Sequence, residues 1–131
     1  VLLAVAEYMN IHSQLIPRIA TGFCGGIAYT GGHCGAVSGA IMAINLALGR
    51  NTPSDERQSC YDAVRLFLDG FTEQFGALDC PKLIGLDLSK PEAHEMYQQK
   101  GSSEQCTNYV TTAARMVVDI LGRIKNTEYH P

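Results

Sequence analysis

Several kinds of signal are missing from this chain of 131 residues, and each absence removes a class of function. Basic charge is not in excess: 10 Lys and Arg stand against 13 Asp and Glu, for a net charge of −3. A nucleic-acid binder usually shows a basic face, so no nucleic-acid partner is expected. No apolar run reaches the ~18 residues that span a bilayer, which argues against a membrane protein. The opening VLLAVAEYMN has no basic n-region and no clean cleavage site, so it does not read as a signal peptide. CxxC, CxxCH and paired CxxC are absent, which removes thioredoxin-like pairs, c-type haem attachment and simple zinc ribbons. GxSxG, HExxH and Walker sequences are absent too.

What is present is a globular composition, 46% hydrophobic and 18% charged, in a length that suits one domain over residues 1–131. The periodic segments are helical and nothing alternates as a strand would. The expected fold is therefore all-α, a single bundle of about five to six helices. A first helix carries Leu2, Leu3, Val5, Ala6 and Met9, and a second, short one runs from Gln14 to about Thr21. Residues 22–35 hold six glycines in fourteen positions, a density that signals positive φ angles or close backbone approach. A third helix, from about Cys34 to Leu48, is apolar on every side and rich in small residues, so it is expected at the centre. A fourth runs from about 54 to 75, opened by Thr52-Pro53-Ser54 with Asp55 and Glu56 near its positive end, and has Cys60, Val64, Phe67, Leu68, Phe71 and Phe75 as its buried stripe. After a short turn at 79–85 come a helix from Pro91 to Gln99 and a last one over about 104–125. Ser102 or Ser103 would cap that last helix, and Val110, Ala114, Val117, Leu121 and Ile124 would be its stripe.

Five cysteines, at 24, 34, 60, 80 and 106, are too few for a disulfide scaffold and odd in number. Unpaired thiols suit a reducing, cytoplasmic compartment. Cys34, Cys80 and Cys106 each fall near a predicted helix N-terminus. The free N–H groups and the helix dipole there favour a thiolate, the form that attacks disulfides and binds metals. Cys60 falls mid-stripe and reads as a small buried hydrophobe. Cys24, in the glycine stretch, reads equally as a fourth thiol or a buried loop residue. Among the histidines, His33 adjoins Cys34 and would tune that thiol or supply a nitrogen ligand. His12, His94 and His130 lie near chain ends or on a surface helix.

GGHCGAVSGAIMAINLALG, FTEQFGALDCPKLIGLDLS and the segment holding Cys106 together resemble the C-GCAxxG-C-C family of redox-active proteins. Matched position by position, the family's central cysteine is Cys34, followed by Gly35, Ala36 and Gly39, and its later cysteines are Cys80 and Cys106. The family's leading cysteine falls in the first helix. No cysteine stands between Val1 and Gln14, so a fourth member would be Cys24 or lie upstream. The spelling His33-Cys34-Gly35-Ala36 also departs from a literal Gly-Cys-Ala. The resemblance implies a helical protein with a redox or metal role for its cysteines. Through a related helical domain in split-Soret cytochromes, it also implies an iron–sulfur centre.

These readings give three expectations. The first is a redox or electron-transfer protein in which Cys34, Cys80 and Cys106, with Cys24, converge under a glycine loop that includes Gly31, Gly32 and Gly35. Its thiols would hold an iron–sulfur cluster or cycle between dithiol and disulfide with an unidentified redox partner. The second is a structural zinc site formed from three of these cysteines, alone or with His33. The third is a helical interaction module, for which the small-residue helix would support a homodimer.

Overall fold

The regular elements of the computed structural model are helices, and among its described residues, 1–99 and 102–128, there is no strand. Seven helices follow one another: α1 (Leu2–Tyr8), α2 (Leu15–Ala20), α3 (Gly35–Leu48), α4 (Gln58–Phe75), α5 (Cys80–Ile84), α6 (Pro91–Gln99) and α7 (Ser102–Glu128). Between α2 and α3 lie a 3-10 turn, Thr21–Phe23, and a left-handed turn, Cys24–Tyr29. The side chains of Ser102 and Ser103, expected as a cap, and His130 lie outside the described residues.

As its composition predicts, α3 is the central helix, packed against α1, α4 and α7. Ala36, Val37, Gly39, Ala40, Ala43 and Ile44 are buried on it. At Gly39 an added Cβ would stand 3.3 Å from the Val1 side chain, so the small residue lets α1 lie close. Helix α1 buries Leu2, Val5 and Ala6 at helical spacing but leaves Leu3 exposed. It ends where Asn10 takes a left-handed φ of 57° and the Ile11 N–H returns to the Ala6 carbonyl at 2.8 Å.

Helix α4 starts at Gln58, four residues later than its sequence suggests. Asp55 does not cap it. The carboxylate folds back on its own turn and accepts the N–H groups of Asn51 and Thr52 and the Thr52 hydroxyl, at 2.9, 3.1 and 2.8 Å. Glu56 takes over the helix start by accepting the Ser59 N–H at 2.9 Å. The expected stripe holds, with Cys60, Phe67 and Phe71 buried and Val64, Leu68 and Phe75 half-buried.

On α7 the buried residues are Tyr109, Ala113, Val117 and Leu121, a strict four-residue spacing. Val110, expected in the core, is exposed and turns its face elsewhere. Phe71, Phe75 and Tyr109 form an aromatic contact between α4 and α7, with Phe75 and Tyr109 edge-to-face at 4.8 Å. No helix among the described residues is long and apolar enough to cross a membrane.

Candidate functional site

Two remote segments carrying cysteines are tied together by backbone hydrogen bonds. Residues 32–34 and 78–80 run antiparallel, bridged at His33 and Asp79. The Cys34 N–H donates to the Leu78 carbonyl at 2.8 Å, and the Cys80 N–H donates to the Gly32 carbonyl at 3.0 Å. Side chains alternate across extended backbone, so Cys34 and Cys80 leave one face of the bridge while His33 and Asp79 leave the other. His33 Nε2 lies 3.5 Å from Asp79 Oδ1 on that far face.

The left-handed turn supplies the third wall. Gly25, Gly26, Ile27, Ala28 and Tyr29 all have positive φ, from 51° to 73°. For Ile27, Ala28 and Tyr29 such a conformation costs roughly 1–2 kcal/mol each. The turn is held by the Thr30 N–H and hydroxyl on the Ile27 carbonyl, at 3.1 and 2.7 Å, and by the Gly32 N–H on the Gly26 carbonyl at 2.8 Å. Only glycine fits at position 26: a Cβ would come within 2.6 Å of the Cys80 Cβ. At Gly35 an added Cβ would stand 3.2 Å from the Cys24 Cα, so the missing side chain lets the Cys24 backbone lie close. Tyr29 meets the His94 ring edge-on at 4.4 Å, which ties the turn to α6.

The fourth wall is α7. Cys106 and Val110 lie one helical turn apart and therefore share a face. Because α7 begins at Ser102, Cys106 sits past the first turn and beyond the free N–H groups that its sequence position suggested. Across from it, the Tyr97 hydroxyl on α6 donates to Cys106 Sγ at 3.5 Å.

Together these elements enclose a cavity of about 260 Å³. Cys24, Cys34, Cys80 and Cys106 all line it, along with Gly26, Gly35, Ala36, Ile84, Leu88, Tyr97 and Val110. Of the site residues expected from sequence, the four cysteines and Gly35 meet there. Gly31, Gly32 and His33 are not among its lining residues. The imidazole faces Asp79 instead, so the reading of His33 as a ligand beside Cys34 does not fit its placement. Cys60 is elsewhere, buried, with its thiol donating to Asn45 Oδ1 at 3.2 Å.

Burial also reverses the expected charge state of two of the thiols. The Cys34 sulfur does receive the N–H groups of Ala36 and Val37, as a helix N-terminus provides. Burial nevertheless outweighs them and pushes the thiol up, with the neighbouring Cys106 adding to the rise. Cys80 is pushed up to about 11, first by burial and then by its like-charged neighbours Cys34 and Cys106. Tyr97 is pushed up to about 12, chiefly by its hydrogen bond to Cys106. No lysine, arginine or histidine lines the cavity among the described residues to offset this. As they stand, no three metal-ligating side chains among the described residues are grouped closely enough to hold one ion.

Sequence reasoning missed Tyr97, Ile84, Leu88 and Val110. For Tyr97 a signal existed: it follows the buried Ala93 by four residues and so lies on the inward face of α6. A comparison with known families finds that residues 1–120 match the model described as "Putative redox-active protein (C_GCAxxG_C_C)". No curated protein and no solved structure matches the chain.

Proposed function

The chain belongs to the C_GCAxxG_C_C family of redox-active proteins, and from that membership and its cavity we propose that it is an electron-transfer protein whose cysteines hold an iron–sulfur cluster. One observation carries this reading: four of the five thiols, spread over 82 positions of sequence (from 24 to 106), line a single cavity. The donor set fits. It consists of sulfur, with mostly apolar walls and no carboxylate or imidazole on the cavity among the described residues, and soft thiolates suit iron–sulfur clusters.

Cys24, Cys34, Cys80 and Cys106 would be the ligands, and the bound cluster would supply one-electron chemistry. The chain's own part follows from its geometry. The bridge and the left-handed turn hold three of the sulfurs on rigid backbone. Ile84 and the buried Leu88 give the sulfurs apolar neighbours. Burial keeps Cys34 and Cys80 protonated until a positive centre displaces the protons.

A second reading has one observation in its favour: Cys34 and Cys80 leave the same face of the bridge. There the two thiols would pass two electrons and two protons to an external acceptor as a disulfide forms. Purification away from air, followed by iron and sulfide assays and a visible spectrum, tests the proposal. Iron and acid-labile sulfide in comparable amounts support the cluster. A colourless protein free of both, with a reversible two-electron thiol couple, supports the second reading.

A further inference from the structure

Tyr97 belongs to no part of the motif, yet it makes a direct polar contact with one of the four sulfurs. We infer that Tyr97 is a positioning residue for Cys106: its hydroxyl donates to that sulfur and sets the redox behaviour of this one thiol apart from the others. The inference rests on the reading of the cavity as a redox-active cysteine centre.

The placement is built rather than incidental. Tyr97 is half-buried on α6 and lines the cavity. Its hydroxyl stands 3.5 Å from Cys106 Sγ, within hydrogen-bond range for sulfur. Helix α6 is anchored in the turn that precedes this contact. Ala93, buried, packs in a cluster with Leu88 and Cys80, and His94 takes the edge of Tyr29. The sulfurs are thereby made unequal. Cys34 is served by backbone N–H groups of α3, which no side-chain change removes. Cys106 is served by a phenol, which one substitution removes without altering backbone.

A donor directed at sulfur withdraws charge from it. At a sulfur-ligated centre this favours the reduced state and raises the potential. At a free thiol it holds the sulfur in one position beside the ring, so its loss alters how the thiol meets a reagent. The same contact therefore has a consequence whether or not a metal is bound.

The test compares the full chain with Tyr97→Phe in two preparations. In protein purified away from air, the variant is expected to keep its iron and sulfide content while its potential shifts to a more negative value. In metal-free protein labelled with iodoacetamide and mapped by mass spectrometry, the rate at Cys106 is expected to change roughly threefold, with Cys34 and Cys80 unchanged. An unchanged Cys106 rate overturns the inference. So does a parallel change at all three cysteines accompanied by a fall in melting temperature, which marks a merely structural residue. Absence of iron and sulfide from both proteins counts against the cluster alone, and the labelling arm still decides the role of Tyr97.

Discussion

Tyr109 on α7 and Leu83 on α5 are joined by a 2.8 Å hydrogen bond from the buried phenol to the Leu83 carbonyl, which fixes the helix carrying Cys106 against the one carrying Cys80. Gln105 reinforces it, donating to the same carbonyl at 3.1 Å and to the Tyr109 oxygen at 2.8 Å. Leu83 lies in the last turn of a five-residue helix, where carbonyls have no intrahelical partner. Two side chains of α7 therefore satisfy a group that α5 leaves open.

Tyr109→Phe keeps the ring against Phe71 and Phe75 and removes only the hydroxyl. Gln105 still reaches the carbonyl, so the expected cost is about 1 kcal/mol in urea denaturation. Loosening of α5 should show as faster labelling of Cys80. An unchanged midpoint and unchanged labelling would mean that the contact does not hold the two helices together.

Gly26→Ala places a methyl group against the Cys80 Cβ in a left-handed conformation. The obstacle is an atom next to backbone rather than the end of a flexible chain. A destabilisation of about 2 kcal/mol or more is expected, from conformational strain and overpacking together. It should come with loss of whatever the cavity binds. Thermal denaturation with metal analysis measures both.

The raised thiols make stability fall in alkali. Native Cys34 and Cys80 keep their protons where the unfolded chain has already lost them, so the folded state binds more protons and is weakened as pH rises. For Cys80 the window opens near the ordinary thiol value of 9.0 and closes at about 11. Denaturation of metal-free protein should lose about 2 to 3 kcal/mol from this group across that window. Cys80→Ser should flatten much of the slope. A stability that is level from pH 8 to 11 in both proteins, or equally steep in both, would contradict the assignment.

Cys60→Ala serves as the internal control. The side chain is buried on α4 and away from the cavity, and its one polar contact is with Asn45. A cost of about 1 kcal/mol is expected, with metal content and redox behaviour like those of the unaltered chain. Loss of either would show that the fifth thiol is not a bystander.

Much of this arrangement is legible in the residues. The all-round apolar run from Gly35 to Leu48 identifies the central helix, and glycine density at 22–35 announces the positive φ angles and close approaches found at Gly26 and Gly35. Cys34, Cys80 and Cys106 are legible as a group through their placement and the motif, whereas Cys24 reads equally as a fourth thiol or a loop residue. Other features depend on partners far away in sequence. Asp55 reads as a first-turn helix charge because its competing turn at Asn51–Thr52 leaves no periodic trace. Cys106 reads as a helix-end thiol because the true start of α7 lies two residues earlier. Val110 fits the apolar period as well as Tyr109 does, and only the fold decides which of the two faces the core. The reversed thiol behaviour is hidden for the same reason: dipole and N–H groups can be read locally, whereas burial is a property of the assembled walls.

The convergence of the four sulfurs is most directly tested by mild oxidation of the metal-free native protein, with the resulting disulfides mapped by mass spectrometry. Links confined to Cys24, Cys34, Cys80 and Cys106, with Cys60 left as a free thiol, are the predicted result. Links that include Cys60 within one folded molecule, or no link at all among the four, would contradict it.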